Sequence, residues 1–275
     1  MKLSVDGINF NLLLDEANLT TDKIPVVFLH GFTGCAEDWL FIFDRLPNNF
    51  YPVAIDLIGH GATDSPANSF YYTTSSIIYQ LEAIITKLNL NRFVVVGYSM
   101  GGRAALSYSL RSHEKIIGAI LESTTAGIEN FELKKERVQF DLMLAEKIKI
   151  EGIESFINYW MDTPLFRSLK NISNQDSIKN KKLENNVTGL TNSLYGFSTG
   201  LMPSYWDRLK LFEFPVLIIS GNNDAKYTCI SKNLTMLIKK AKHVLVEDAG
   251  HNVHLEKPDV FTNFVCNFLN SLDKE

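Results

Sequence analysis

Four short, almost unbroken apolar runs pace the first half of the chain, at residues 26–30, 51–56, 93–98 and 116–122. Each is too brief for a helix, ends at turn-forming residues, and is apolar on both alternating sides. Those are the marks of strands buried on both faces of a parallel sheet. Helical patterns lie between the runs, at about 36–46, 73–89 and 100–112. In the middle one Ile77, Ile78, Leu81, Ile84, Ile85 and Leu88 share one stripe, which makes it a core-facing helix. Ahead of the first run, residues 3–14 read as a β-hairpin turning at Asp6-Gly7. Alternating strands and helices imply right-handed crossovers, with helices on both faces of one sheet.

From Ser123 to about Tyr205 the rhythm changes to helical patterns alone, at about 132–149, 151–161, 174–186 and 188–197. Strand signals return at 215–220 and 243–247, and a last helix starts at Pro258, a residue suited to a first helical turn. The expected division is a core in two parts, 1–122 and 206–275, interrupted by an all-helical cap, 123–205. Gly127, Gly189 and Gly200, at the edges of the insertion and inside it, are hinges or turns.

Composition narrows the class of function. With 45% hydrophobic and 21% charged residues in 275, the chain is ordinary for a globular protein of one large domain or two modest ones. A net charge of −4 and pI near 5.9 give no global basic field, so neither nucleic acid nor an anionic membrane is an expected partner. Cys35, Cys229 and Cys266 contain no CxxC, and three free thiols in a reducing compartment are expected. The N-terminus lacks the apolar stretch of a signal peptide, and no run reaches membrane-spanning length. The expected location is cytoplasmic, as a monomer or small homo-oligomer.

Gly97-Tyr98-Ser99-Met100-Gly101 follows directly on the run 93–96 and opens a helical pattern. This is G-x-S-x-G in its required strand–turn–helix setting, where the glycines allow a turn that lifts the serine hydroxyl clear of the sheet. A nucleophilic or basic serine needs a histidine, and the histidine needs an orienting carboxylate. Asp224, in Ser-Gly-Asn-Asn-Asp, and His251, in Ala-Gly-His-Asn, each lie just past a strand signal. Ser99, Asp224 and His251 therefore all fall at carboxyl ends of expected strands, the edge where open α/β sheets bind ligands. After the run 26–30, the backbone N–H of Phe32 is positioned to form an oxyanion hole with that of Met100. His30 and the stretch Asp56-Leu57-Ile58-Gly59-His60-Gly61 are read as architecture.

On these motifs the chain resembles the α/β-hydrolase superfamily over essentially its whole length. Within it the chain resembles the MenH family, the 2-succinyl-6-hydroxy-2,4-cyclohexadiene-1-carboxylate synthases. The narrower resemblance rests on Gly-Tyr-Ser-Met-Gly-Gly-Arg (97–103), Leu-Glu-Ser-Thr-Thr-Ala-Gly (121–127), Glu136-Arg137, and Tyr-Trp…Pro-Leu-Phe (159–166). Asn-Asn…Gly-Leu…Ser-Leu (185–194), Ser-Gly-Asn-Asn-Asp-Ala-Lys-Tyr (220–227) and Ala-Gly-His-Asn (249–252) complete it.

The resemblance implies an α/β-hydrolase fold, a mostly parallel eight-stranded sheet flanked by helices and capped by helices. It also implies a lyase that expels pyruvate from a cyclohexene bearing three carboxylates, with no cofactor and no metal. Tyr98, Arg103, Arg137 and Trp160 match family substrate-binding positions. Where the family carries an arginine before Asn185-Asn186, this chain reads Lys181-Lys182-Leu183, and Lys182 aligns with it, offering a point charge in place of a bidentate fork. Two other functions share the fold: a serine ester or carbon–carbon bond hydrolase, and a non-catalytic binding protein.

Overall fold

The computed structural model describes residues 1–272. The hairpin forms as expected, β1 (Lys2–Val5) against β2 (Ile8–Leu13). Both turn residues are left-handed, Asp6 at φ 49° and Gly7 at φ 80°, which matches the twist of the two strands. The remaining strands are β3 (Ile24–Leu29), β4 (Phe50–Ile55), β5 (Phe93–Tyr98), β6 (Ile116–Glu122), β7 (Val216–Gly221) and β8 (Ala241–Val246). They form one eight-stranded sheet in the order β1-β2-β4-β3-β5-β6-β7-β8. β2 runs antiparallel to both its neighbours, and every pairing from β4 onward is parallel.

Unbroken apolarity in β5 and β7 follows from their position: every residue of each is buried, because helices cover both faces of the sheet. On one face lie α2 (Thr74–Lys87) and α3 (Met100–Ser109), with the stripe residues Ile77, Leu81, Ile84 and Ile85 in the core. On the other face lie α1 (Leu40–Phe43) and α9 (Pro258–Leu272), which bury Ile42, Phe261, Val265 and Leu269. Each such fully buried side chain contributes about 1.5–3 kcal/mol. No helix among the described residues is long and apolar enough to cross a membrane.

Between β6 and β7 the chain is helical: α4 (Phe131–Asp162), α5 (Gln175–Leu183) and α6 (Val187–Phe197). α4 is broken at Gly152 (φ 80°, ψ 176°), which gives the two helical stretches expected there. These helices have their own apolar cluster, including Leu144, Ile148, Phe156 and Leu190, and Phe32 from the loop after β3 packs into it. Gly189 lies so close to Gly59 that any side chain on it would run into the Gly59 carbonyl, so it seats α6 on the loop after β4.

Two elements differ from expectation. The helix expected over 36–46 is a 3-10 turn, Ala36–Trp39, followed by the single turn of α1. Ala36 N–H, which has no acceptor within the turn, donates to Asp56 Oδ1 at 2.5 Å and ties the start of the turn to the loop after β4. β8 starts two residues early, at Ala241, where the backbone pairs with Val216 on a partly exposed sheet edge that an apolar-run criterion does not detect. After β7 and β8 come α7 (Ala225–Leu237) and the short α8 (Val253–Glu256).

Candidate active site

The turn from β5 into α3 is tight. Ser99 has φ 49° and ψ −103°, a conformation few non-glycine residues adopt. A side chain at position 97 would meet the Gly101 carbonyl oxygen at 2.5 Å, and one at position 101 would collide with the carbonyls of Leu29 and His30. The two glycines thus let α3 begin against β3 while Ser99 is pushed out at the apex. Its backbone is fixed by its own N–H to Glu122 O (2.9 Å) and by Thr124 Oγ1 donating to its carbonyl (2.8 Å).

His251 and Asp224 reach this apex from the ends of β8 and β7. His251 Nε2 lies 3.0 Å from Ser99 Oγ, and its Nδ1 lies 2.7 Å from Asp224 Oδ2. Asp224 caps α7, its Oδ1 accepting Tyr227 N–H at 3.1 Å, so the carboxylate is oriented by a helix N-terminus as well as by the histidine. His251 is buried, pressed between the rings of Tyr227 (4.5 Å between centroids), Tyr98 (5.3 Å) and Phe166 (6.0 Å). Gly250 and Asn252, on either side of it, both donate backbone N–H groups to the Glu256 carboxyl, at 2.7 and 3.1 Å.

Ser99 opens onto a cavity of about 330 Å³ between the sheet edge and the inserted helices. Phe32 and Met100 both line it. Met100 is the first residue of α3, where a backbone N–H has no partner within the helix. Tyr98 and Trp160 line it too. The Tyr98 hydroxyl donates to Asn252 Oδ1, and burial, with Glu122 next in effect, raises its pKa well above the usual phenol value. Trp160 stacks on Phe156 and stands edge-on to Phe32.

The cavity is cationic. Arg103 is buried, donates to the Phe197 carbonyl at 2.7 Å and lies 4.3 Å over the Phe197 ring. Burial, and then repulsion from Arg137, lower its pKa to about 10. Arg137 reaches in from α4 and gives its Nε to Asp141 at 2.9 Å. Lys226 joins them from the start of α7, and burial followed by Arg137 repulsion lowers its pKa as well. Three cations held near one another raise each other's free energy, which Asp141 and Asp224 offset in part at Lys226 and which an anionic ligand relieves further.

Not every expected residue arrives. Lys182 is buried away from the cavity wall, its Nζ donating to Thr33 Oγ1 at 3.2 Å, while Asn185 holds the Thr33 carbonyl at 3.0 Å. It touches the loop that carries Phe32. Conversely, Asp141, Lys226 and Tyr227 line the cavity without being individually marked by the sequence. The only signal for Lys226 and Tyr227 is the Ala-Lys-Tyr stretch after Asp224. His30 is architectural, as read: its Nδ1 is 2.7 Å from Gly31 O and its Nε2 accepts Leu57 N–H at 3.0 Å. Asp56 gathers donors from Ala36, Ala62 and Asn11.

Comparison with known proteins agrees with this geometry. Residues 24–258 match the family model described as alpha/beta hydrolase fold. A protein of Bacillus subtilis (strain 168), provisionally named 2-succinyl-6-hydroxy-2,4-cyclohexadiene-1-carboxylate synthase, is 36% identical over 269 residues, 97% of each chain. The synthase of that name from Enterobacter sp. (strain 638) is 30% identical over 234 residues, covering 85% of this chain and 86% of its own. The solved structure of MenH from S. aureus superposes with a TM-score of 0.89 at 31% identity, covering 96% of this chain and 98% of that one. The sequence motifs, the sheet order and these similarities together place the chain in the α/β-hydrolase fold family and, within it, in the family of 2-succinyl-6-hydroxy-2,4-cyclohexadiene-1-carboxylate synthases.

Proposed function

We propose that this chain is a carbon–oxygen lyase that converts 2-succinyl-5-enolpyruvyl-6-hydroxy-3-cyclohexene-1-carboxylate to 2-succinyl-6-hydroxy-2,4-cyclohexadiene-1-carboxylate and pyruvate, a step of menaquinone biosynthesis. The carrying observation is a Ser99–His251–Asp224 hydrogen-bond chain facing a cavity lined by Arg103, Arg137 and Lys226, in a chain of this family. Residues 123–205 form its cap and a cytoplasmic location suits its small soluble substrate.

In this reading His251, steadied by Asp224, takes the Ser99 hydroxyl proton as Ser99 Oγ removes the proton alpha to the succinyl ketone. The electron pair left on the ring forms an enolate, which the backbone N–H groups of Phe32 and Met100 stabilise as they would a tetrahedral oxyanion. Collapse of the enolate shifts the ring double bond and breaks the bond to the enolpyruvyl oxygen. The leaving group takes the proton from His251 and departs as pyruvate, and the carbon-derived proton remains on Ser99. No acyl-enzyme forms. Arg103 and Arg137 hold substrate carboxylates, Tyr98 and Trp160 shape the cavity, and Lys182 supports the Phe32 loop from behind.

The test is pyruvate release from the authentic substrate, generated in situ by the preceding enzyme, with Ser99→Ala run beside the wild type because the substrate also decays spontaneously. Fast release by the wild type and background release by the variant is the expected result. Equal, slow release by both overturns the lyase reading and directs attention to esters.

A further inference from the structure

Asp141 lies one turn beyond Arg137 on α4, is 1% exposed, and lines the cavity. Its Oδ2 accepts Arg137 Nε at 2.9 Å, but its Oδ1, equally shut off from solvent, has no hydrogen-bond partner among the described residues. Buried polar atoms are nearly always partnered, and a carboxylate oxygen is a strong acceptor. The carboxylate is not spare counter-charge either. Its field opposes the depression of Arg103 and Lys226, so it acts on the same cluster that would hold the substrate's anions.

An unsatisfied carboxylate oxygen on a residue that lines a cavity for a tricarboxylate selects very narrowly. This step rests on the lyase reading above. With its three acids ionised, that substrate offers carboxylate, ketone and ether oxygens, all acceptors. Its ring hydroxyl is the one O–H donor it carries. A substrate carboxylate placed against Asp141 would be repelled, whereas the hydroxyl would complete its hydrogen bonding.

We propose that Asp141 Oδ1 accepts the hydrogen bond of the substrate's ring hydroxyl, making Asp141 a specificity-determining residue that sets which edge of the ring faces α4. The hydroxyl is retained in the product, so the contact orients and discriminates and takes no part in bond breaking. Asp141 thereby has two duties on two oxygens: Oδ2 aims the Arg137 guanidinium at a carboxylate, and Oδ1 reads the neighbouring hydroxyl.

The experiment is a cycle of two proteins and two substrates, the natural compound and its analogue lacking the ring hydroxyl, compared by kcat/KM for pyruvate release. Asp141→Asn is the informative change. It keeps an oxygen for Arg137 Nε and puts an amide NH2 where the unpartnered carboxylate oxygen stood. Wild type is expected to lose about 10–100-fold on the deoxy analogue, the range for a hydrogen bond to a charged group. The variant is expected to handle both compounds within a few-fold of each other. Wild type that turns over both compounds alike overturns the proposal, and that arm does not depend on the variant folding. A variant that loses the same factor on both compounds also overturns it, by showing that Asp141 serves Arg137 alone. Wild type that releases no pyruvate from the natural compound overturns the lyase reading and this proposal with it.

Discussion

Glu122, wholly buried at the end of β6, grips His254 with both carboxylate oxygens: His254 Nδ1 lies 2.9 Å from Oε1 and 2.8 Å from Oε2, and the His254 backbone N–H meets Oε1 at 3.0 Å. His254 is the second residue of α8, three after His251, and its ring stacks on Trp39 at 4.4 Å. The pair fixes the segment that delivers His251 to Ser99, from a point beneath the sheet edge. Removing the carboxylate leaves two buried donors, the His254 ring N–H and its backbone N–H, without an acceptor, at a cost of about 1–3 kcal/mol each and so about 2–6 kcal/mol together. Glu122→Ala is therefore expected to lower stability in urea denaturation by that amount. A loss under about 1 kcal/mol, the size of an ordinary surface pair, would remove the anchoring role.

Ser99 combines the reactive hydroxyl with a left-handed backbone at φ 49°, so its two properties separate by substitution. Ser99→Ala keeps the strain and loses the hydroxyl, and pyruvate release is expected to fall by about 10³-fold or more. Ser99→Gly loses the hydroxyl and the strain together. Strain of about 1–3 kcal/mol, less the flexibility glycine adds to the unfolded chain, leaves a gain near 1 kcal/mol. Thermal melting of the two inactive variants side by side checks this, and a glycine variant no more stable than the alanine one would show the turn to be unstrained.

The hydrogen-bonded Ser99, Asp224 and His251 were legible because each follows a strand, and a strand buried on both faces is the plainest signal a sequence carries. The cationic cavity was less so. Arg137 is marked as a binding residue by the family resemblance alone, since nothing within Lys134-Lys135-Glu136-Arg137 sets it apart from the charges beside it, and Asp141 carries no local signal of the burial it has in the fold. Lys182 shows the opposite failure: a family position fixes where a residue stands along the chain but not which way a different side chain turns. Its amine found Thr33, a partner 149 residues away that no local pattern announces.

Arg103 and Arg137 are expected to differ from lysine at the same positions. Arg103 already spends one nitrogen on the Phe197 carbonyl and stacks on that ring, so only a planar fork can keep both contacts and still offer a donor to the cavity. Arg103→Lys should lower kcat/KM about 10–100-fold, chiefly through KM. Arg137→Lys loses the Nε bond to Asp141 and should fall in the same range. Steady-state kinetics on the natural substrate check both. An Arg103→Lys variant with wild-type KM would remove Arg103 from substrate binding.

Lys182 carries a pH dependence whose sign follows from its burial. Desolvation lowers its folded pKa below the ordinary 10.5, with Asp38 and Cys35 opposing. Below the folded pKa both folded and unfolded chains hold the proton, and the folded state bears the full penalty of a buried ammonium. Between the folded pKa and 10.5 the unfolded chain binds more protons, so stability rises with pH, and above 10.5 the penalty is gone. Lys182→Met, which keeps the length of the side chain and removes the charge, is expected to be more stable than wild type at neutral pH. The stability difference between the two, measured by urea denaturation, should shrink steadily as pH climbs toward 10.5. A difference that stays constant across that window would mean that the amine is as well solvated when folded as when unfolded. Raised KM in the methionine variant without any change in stability would instead return Lys182 to the substrate.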